Sequence, residues 1–523
     1  MTVASGAIAA APQSHSMAAR TTWHVYNGNL EGTRYSPLSQ INRRNVHSLH
    51  EVGRAVLPET TEFVSSPVVA GHRLFVTTAT STYAIDASTG KLLWAQHYHP
   101  KSLGLVTGNR SVAYHDGRLY RGTPDGHLLA LDARSGRILW DVNAFDAAKG
   151  EYLVAAPIIW DHKLFIGNAG SDIGAVGHIR AFDIKDGRRL WSFEDVPAFG
   201  LGSHTWSSDP SHVRADGGIY SSLALDPADG MLYAPVGKPG PDFVGAYRPG
   251  RNLYTDSVVR LDARTGALRG YHQFVAHDIH DWDIAASPVL FTARDGRRMV
   301  AVGGKNGYLY GLDRDLSKVE FQVPIDTIKN VKAPLTAAGT RFCPGTQGGV
   351  NWYGPAYSPQ QNALYVDSID WCTMIKLAPP GSFKRVYGKP FVGSTNGFGH
   401  SDPKRRSGWI FAIDADTGKV LWRHHTPLPA VASLTPTAGG ILFTGVLAFD
   451  AASGRLLLKT PASGPVGGGI VTYRVGGRRY VAVTSGMTNA IMETRLGPAS
   501  VVIYALPPTA ARRTSARRAA SRH

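Results

Sequence analysis

Short stretches of alternating apolar and polar residues run along the chain, and many of them end in the same way. YAIDASTGKLLW (83–94), ALDARSGRILW (130–140), AFDIKDGRRLW (181–191), RLDARTGALRGY (260–271), GLDRDLSK (311–318), AIDADTGKVLW (412–422) and AFDAASGRLLL (448–458) are versions of one phrase. An apolar run leads to an aspartate, a Ser/Thr-Gly turn follows, then a basic residue, then a tryptophan. The period of two predicts a strand up to the aspartate. Asp and Ser/Thr turn the chain, and glycine takes the position of positive φ. The next strand then delivers the tryptophan to a packing interface.

A further strand pair precedes several copies, as in HDGRLYRGTPDGHLLALD and WDHKLFIGNAG, so each unit has about four short strands. The repeated aspartates (86, 132, 183, 262, 313, 414 and 450) have a normal step near 50 residues, the length of a propeller blade plus a loop, with two longer gaps and one short one. The long gaps hold further strands in LALDPADGMLYAPVG and PAYSPQQNALYVD. Seven copies and a terminal unit predict an all-β fold: one eight-bladed β-propeller of four-stranded antiparallel blades, docked by repeat tryptophans. A two-sandwich all-β fold is the second reading. The short last gap predicts a distorted blade or one lacking a strand.

Composition narrows the function. Across 523 residues the formal charge is +16, but five arginines fall in the acid-free tail ARRTSARRAASRH. The rest of the excess is thinly spread, without basic and aromatic residues interleaved, which argues against a nucleic-acid partner. No apolar run is long enough for a transmembrane segment. The expected division is a leader or remnant of an export signal at 1–21, a propeller at 22–507 and a disordered basic tail at 508–523. AIAAAPQ resembles the end of a secretory signal, which favours a periplasmic location. No CxxCH occurs, so no covalent haem site is encoded. Cys343 and Cys372 are either free thiols or a disulfide.

HDIHDWD (277–283) concentrates charge in a chain only 18% charged. Read as extended, it puts His277, Asp281 and Asp283 on one face with Ile279, and Asp278 and His280 on the other. Two carboxylates sharing a face need a cation between them or open water.

The repeat, the opening segment NGNLEGTRYSPLSQIN (27–42) and HDIHDWD together resemble the eight-bladed quinoprotein dehydrogenases that use pyrroloquinoline quinone (PQQ). The resemblance runs from about residue 22 to 507. It implies base-assisted hydride transfer from an alcohol, polyol or sugar to the quinone C5 carbonyl. Electrons would pass to a separate acceptor, a c-type cytochrome or a quinone. Asp281 corresponds to the base that takes the alcohol proton, and Lys305, in GGKNGYLYGLD, to the residue touching the quinone oxygens. Glu62, Arg110 (GNRSVAY), Thr123 (GTPDG), Gly170 and Ser171 correspond to cofactor-binding positions, as do Asn351 and Trp352 (GGVNW). Asp172 stands where the family usually has a metal-binding glutamate. Asp283 matches the extra carboxylate of lanthanide-using members, so the implied ion is Ca²⁺ or a lanthanide. The cysteines fall where the family can carry a structural disulfide.

Several positions depart from the family. Gly104-Leu105 replace a vicinal disulfide, Tyr220 replaces a stacking tryptophan, and Gly218 replaces a threonine. Lys238, in VGKPGP, replaces a metal-binding asparagine. Either its side chain swings out and leaves Asp172, Asp281 and Asp283 to the metal, or its ammonium takes the cation position. These losses keep a second class of function open, a cofactor-free propeller acting as a binding or assembly scaffold. The long irregular stretches 195–218 and 319–350 are the expected specificity loops.

Overall fold

The computed structural model describes residues 22–508, apart from 60, 285, 400–405, 462–463 and 487–496. The proposed leader and nearly all of the basic tail therefore lie outside the described residues. Among the described residues there are strands and short 3₁₀ turns but no α-helix. Eight four-stranded antiparallel sheets form the molecule. The first strands of successive blades contact one another around the hub, as Val68–Ala70 does with Ala113–His115. These inner strands are wholly buried in four blades and partly so in the others, whereas the outer ones alternate, as in Leu92–His97. The last sheet closes the ring. Its strands Ile470–Val475, Arg478–Ser485 and Ser500–Ala505 are completed on the outside by His50–Val56 from the start of the chain. Closure leaves the propeller only short, protected edges.

The repeated phrase is the turn from the third to the fourth strand of each blade. Ser81–Asp86 ends at its aspartate, whose Oδ1 accepts the backbone N–H groups of Ser88 (3.0 Å) and Thr89 (2.9 Å). The turn glycine then lies under the preceding blade's tryptophan. A Cβ on Gly136 would fall 2.7 Å from the Trp94 ring, and one on Gly266 2.7 Å from Trp191. Both glycines also have φ near +75°, so conformation and contact each require glycine. The indole N–H groups of Trp140, Trp191 and Trp422 donate to Ile184, Ala263 and Ala451 of the next blade. Blade five uses Phe321 instead, packed on Gly418. Blade seven, expected to be short of a strand, has all four. Its brevity comes from a tight turn at Gly445-Val446 between Ile441–Thr444 and Leu447–Asp450.

The opening segment is a plug across one end of the hub. Backbone hydrogen bonds join Trp23 to Val69, His24 to Tyr114, Leu30 to Leu225, Glu31 to Leu290, Thr33 to Tyr357 and Ser36 to Pro436. Six of the eight blades are tied to it. Arg34 is buried in this layer, donating to the carbonyls of Gly354, Pro355 and Tyr353. Its guanidinium lies over Tyr353, which stacks on Tyr26. Two long insertions meet away from the plug. Thr340–Phe342 pairs with Thr373–Ile375, and a Cys343–Cys372 disulfide joins them. Of the stretch 319–350, residues Val319–Pro324 are an ordinary outer strand rather than a loop.

Candidate active site

A cavity of about 680 Å³ opens in the hub above Trp352. Its walls come from loops that enter a first strand or leave a second strand, which lie at the same end of an antiparallel blade. Glu62, Arg110, Tyr220, Asp281, Asp283, Asn351 and Trp352 precede first strands, and Gly170, Ser171, Asp172 and Lys305 follow second strands. All of these line the cavity. Thr123 also follows a second strand but is not brought to the cavity. Its hydroxyl donates to Asp125 Oδ1 at 2.6 Å inside its own turn.

HDIHDWD is not extended. Asp281 has φ +64°, so alternation fails there. Asp278 turns the chain by accepting the backbone N–H groups of His280 (2.9 Å) and Trp282 (2.7 Å). Burial raises its pKa, but these bonds and the His280 side chain outweigh that and hold it below the usual range. His280 stacks on Trp282 with ring centroids 4.0 Å apart. Asp281 and Asp283 still reach the same chamber, and the cation between them is Lys305. Its Nζ lies 3.4 Å from both Asp281 oxygens and 2.5 Å from Asp283 Oδ2. Burial alone would lower the Lys305 pKa, but the two carboxylates raise it well above normal, so it stays charged. Asp281 is pushed well up by burial; Lys305 opposes this and Asp283 adds to it.

Asp283 is fully engaged. Besides Lys305, it accepts the Lys238 backbone N–H at Oδ1 (2.8 Å) and the Tyr220 hydroxyl at Oδ2 (3.3 Å). Gly237 permits that approach, since a Cβ there would lie 2.7 Å from Asp283 Oδ1. Glu62 accepts the N–H groups of Thr107 (3.2 Å) and Gly108 (3.1 Å), holding the 105–108 loop at the cavity wall. Asn351 donates to the Gln347 carbonyl at 3.2 Å, and the Trp352 indole to that of Gly467 at 3.1 Å.

Arg110 bears on whether an anionic quinone fits. Its guanidinium lies 4.5 Å from the centre of the Trp352 ring, and Nε donates to the Tyr220 carbonyl at 3.2 Å. Nη1 is buried with no hydrogen-bond partner among the described residues. A buried donor without an acceptor is costly, and a carboxylate in the chamber would supply one. With the rings of Trp352 and Tyr220 on the walls, the residues present fit a flat, carboxylate-bearing cofactor.

The metal half of the expectation fits less well. Asp172, Asp242 and Asp281 bring ligand oxygens within 4.8 Å of one another. Lys238 has not swung out. Its Nζ lies 3.1 Å from Asp172 Oδ1, 2.9 Å from Asp216 Oδ2 and 2.5 Å from Asp242 Oδ1. Burial would lower the Lys238 pKa, but the surrounding aspartates raise it well above normal. Burial pushes Asp216 up to about 7 against the pull of Lys238. A divalent ion about 4 Å from that ammonium would be repelled by about 8 kcal/mol at an effective dielectric near 20. The residues present therefore do not fit Ca²⁺ or a lanthanide.

Sequence reasoning missed Asp216, Asp242 and the rim residues Val106, Thr107 and Phe398, while Leu105 and, within the expected loop 319–350, Gln347 do reach the cavity. Leu105, Val106, Thr107, Gln347 and Phe398 line the opening, whereas 195–218 contributes nothing to the cavity. Asp242, four residues after Lys238 in GKPGPD, was the one available signal.

The family model described as PQQ, glucose/ethanol/alcohol dehydrogenase, β-propeller domain, matches residues 23–330. Residues 406–495 match the model for the outer membrane protein assembly factor BamB. The dehydrogenase subunit of a quinone alcohol dehydrogenase from Gluconacetobacter polyoxogenes is 30% identical, covering 89% of this chain and 71% of that one. A lanthanide-dependent methanol dehydrogenase of Methylacidiphilum fumariolicum is 26% identical, with 89% and 84% covered. The solved quinohemoprotein alcohol dehydrogenase ADHIIG of Pseudomonas putida HK5 superposes with a TM-score of 0.84 at 25% identity, covering 94% of this chain and 82% of that one.

Proposed function

The chain belongs to the PQQ-dependent glucose/ethanol/alcohol dehydrogenase β-propeller family, and on that premise we propose that it oxidises an alcohol in the chamber above Trp352, with PQQ as its cofactor. The observation that carries this reading is the convergence of Asp281, Lys305 and Arg110 on one cavity, with Arg110 Nη1 left for an anionic ligand. The sequence similarity to a quinone alcohol dehydrogenase subunit supports it.

When bound, PQQ supplies a carbonyl carbon, C5, that accepts a hydride. Arg110 would hold the cofactor's carboxylates, and the Trp352 and Tyr220 rings would give it apolar walls that exclude water. Asp281 takes the alcohol proton at a carboxylate oxygen. Burial and Asp283 make it a stronger base than an exposed aspartate. Lys305 stays protonated beside it, offsets the charge of Asp283 and would be a hydrogen-bond donor for the quinone oxygens. Leu105, Val106 and Phe398 give the mouth an apolar rim that suits the carbon chain of an alcohol; polyols and sugars extend the substrate range to be screened.

The electron acceptor we propose is a separate c-type cytochrome or quinone. A periplasmic location is supported by the Cys343–Cys372 disulfide, which persists in oxidising compartments. No helix among the described residues is long and apolar enough to cross a membrane.

The scaffold reading draws on the match of 406–495 to an assembly-factor model. The described residues of that stretch carry blade repeats and none of the chamber residues, so the match does not bear on the cofactor. The deciding experiment is reconstitution with PQQ, read by quinone absorbance on the desalted protein and by dye-linked turnover across alcohols, polyols and sugars. Retained quinone with alcohol turnover is expected; neither would favour the scaffold.

A further inference from the structure

Behind the Ser171–Asp172 wall the Lys238 ammonium is 1% exposed, bonded to three carboxylates and 3.4 Å from the Ser171 carbonyl. We infer that this side chain is the permanent cation of the chamber: the Lys238 ammonium fills the place an alkaline-earth or lanthanide ion would take, and the site is built to work without a metal. The inference deepens the proposed function and rests on it for the chamber's role.

Three observations carry it. First, two of the three aspartates whose oxygens could gather an ion, Asp172 and Asp242, already hold Nζ. A hard cation wants six to eight oxygen ligands, and an ammonium offers none. Second, two of the carboxylates that Lys238 holds lie in the interior, and one of them, Asp216, is outside that cluster. Asp216 is fully buried and Asp242 1% exposed; Lys238 holds Asp216 Oδ2 and Asp242 Oδ1, and the other oxygen of each carboxylate has no hydrogen-bond partner among the described residues. Withdrawing Lys238 would strand both carboxylates in the interior, the costly way to break a buried pair. Third, the same residue fixes the catalytic side of the chamber, because its backbone N–H holds Asp283 Oδ1 at 2.8 Å. Ammonium and backbone together order Asp172 and Asp283, which otherwise would wait for a metal.

The test compares the wild-type chain with Lys238→Asn. Each is stripped with a chelator, incubated with Ca²⁺ or La³⁺ with and without PQQ, and desalted. Metal per chain is read by elemental analysis, and PQQ separately by absorbance. The wild type is expected to retain no metal, and Lys238→Asn to gain about one ion per chain, the stoichiometry of a single site. If the variant folds poorly, the same contrast is read as thermal unfolding raised by La³⁺ in the variant and unmoved in the wild type. Equal metal content in the two proteins, whether both loaded or both empty, overturns the inference. Loss of PQQ from the wild type counts against the proposed function alone, because the metal contrast is also measured without PQQ.

Discussion

Lys305 Nζ lies 2.5 Å from Asp283 Oδ2, inside a chamber where both residues are almost completely buried. The contact lets two carboxylates two positions apart face one cavity. Removing the ammonium would leave Asp281 and Asp283 facing each other without a counter-charge. Lys305→Met is expected to lower stability by about 3–5 kcal/mol, as for other broken buried pairs. Adding Asp283→Asn should recover part of that loss. A denaturant-unfolding cycle of the two single variants and the double checks this, and strict additivity would mean the pair is not coupled.

Asp281→Asn keeps the shape of the side chain and removes the proposed base. Turnover should fall by about 10²–10⁴-fold, the usual range for a lost general base. PQQ retention should be unchanged, because in the proposed site Arg110 and the ring walls would hold the cofactor. Dye-linked kinetics and quinone absorbance on the same sample separate the two. Loss of the quinone together with activity would make Asp281 a binding residue.

Arg110→Lys preserves charge but loses the planar fork over Trp352. An ammonium offers no parallel pair of donors to a carboxylate and stacks poorly. The expected result is PQQ affinity weaker by about ten- to a hundredfold, with turnover at saturating PQQ changed less. Titration of PQQ by tryptophan fluorescence reads the affinity directly. An unchanged Kd would remove Arg110 from the cofactor's carboxylates.

Asp367, on the second strand of blade six, is buried with Oδ2 unpartnered among the described residues. Burial pushes its pKa up to about 8, against a weaker pull from Arg34. The folded protein therefore holds a proton that the unfolded chain releases above the ordinary aspartate value of 3.8. Its contribution to stability is complete below that value and is lost as pH rises through about 8. Between those limits the loss runs at about 1.4 kcal/mol for each tenfold fall in proton concentration. Asp367→Asn stays neutral throughout. Urea unfolding at acid and alkaline pH should show the wild type weakening relative to the variant as pH rises. Parallel pH profiles would refute the buried-acid reading.

The eight blades were legible because the turn between third and fourth strands is local chemistry. An Asp that caps N–H groups, as Asp86 does, and a glycine under an indole, as Gly136 is, leave a fixed signature in sequence. Blade five was weaker to the eye because Phe321 replaces tryptophan, and blade seven was misjudged because a two-residue turn looks like a missing strand. Most chamber residues were found through the family resemblance, since they come from loops with no periodicity of their own. Asp216 and Asp242 were not found. Their function is to hold Lys238, and that relation exists only once the turn at Gly240-Pro241 and the 215–217 loop are folded together. HDIHDWD shows the same limit: its composition announced a charged site, but Asp278 turns the backbone, and alternation misassigned which side chains share a face.

The Cys343–Cys372 bridge joins the insertion before blade six to the one between that blade's second and third strands, and Trp282 donates its indole N–H to Pro344 at 3.1 Å beside it. The chamber's HDIHDWD segment is thus packed against a cross-linked platform. Closing a loop of 29 residues is worth about 3–4 kcal/mol in the chain-entropy account. Replacing both cysteines by serine should lower the thermal midpoint. Hydrogen exchange should rise first in 326–350 and 371–399, before the inner strands of the blades, because the hub is held by the plug and not by these insertions. Alcohol turnover at low temperature should survive with a raised KM, since Phe398 and Gln347 at the rim move with the platform while Asp281 and Lys305 are held by each other. Uniform exchange across all blades would show instead that the bridge supports the whole ring.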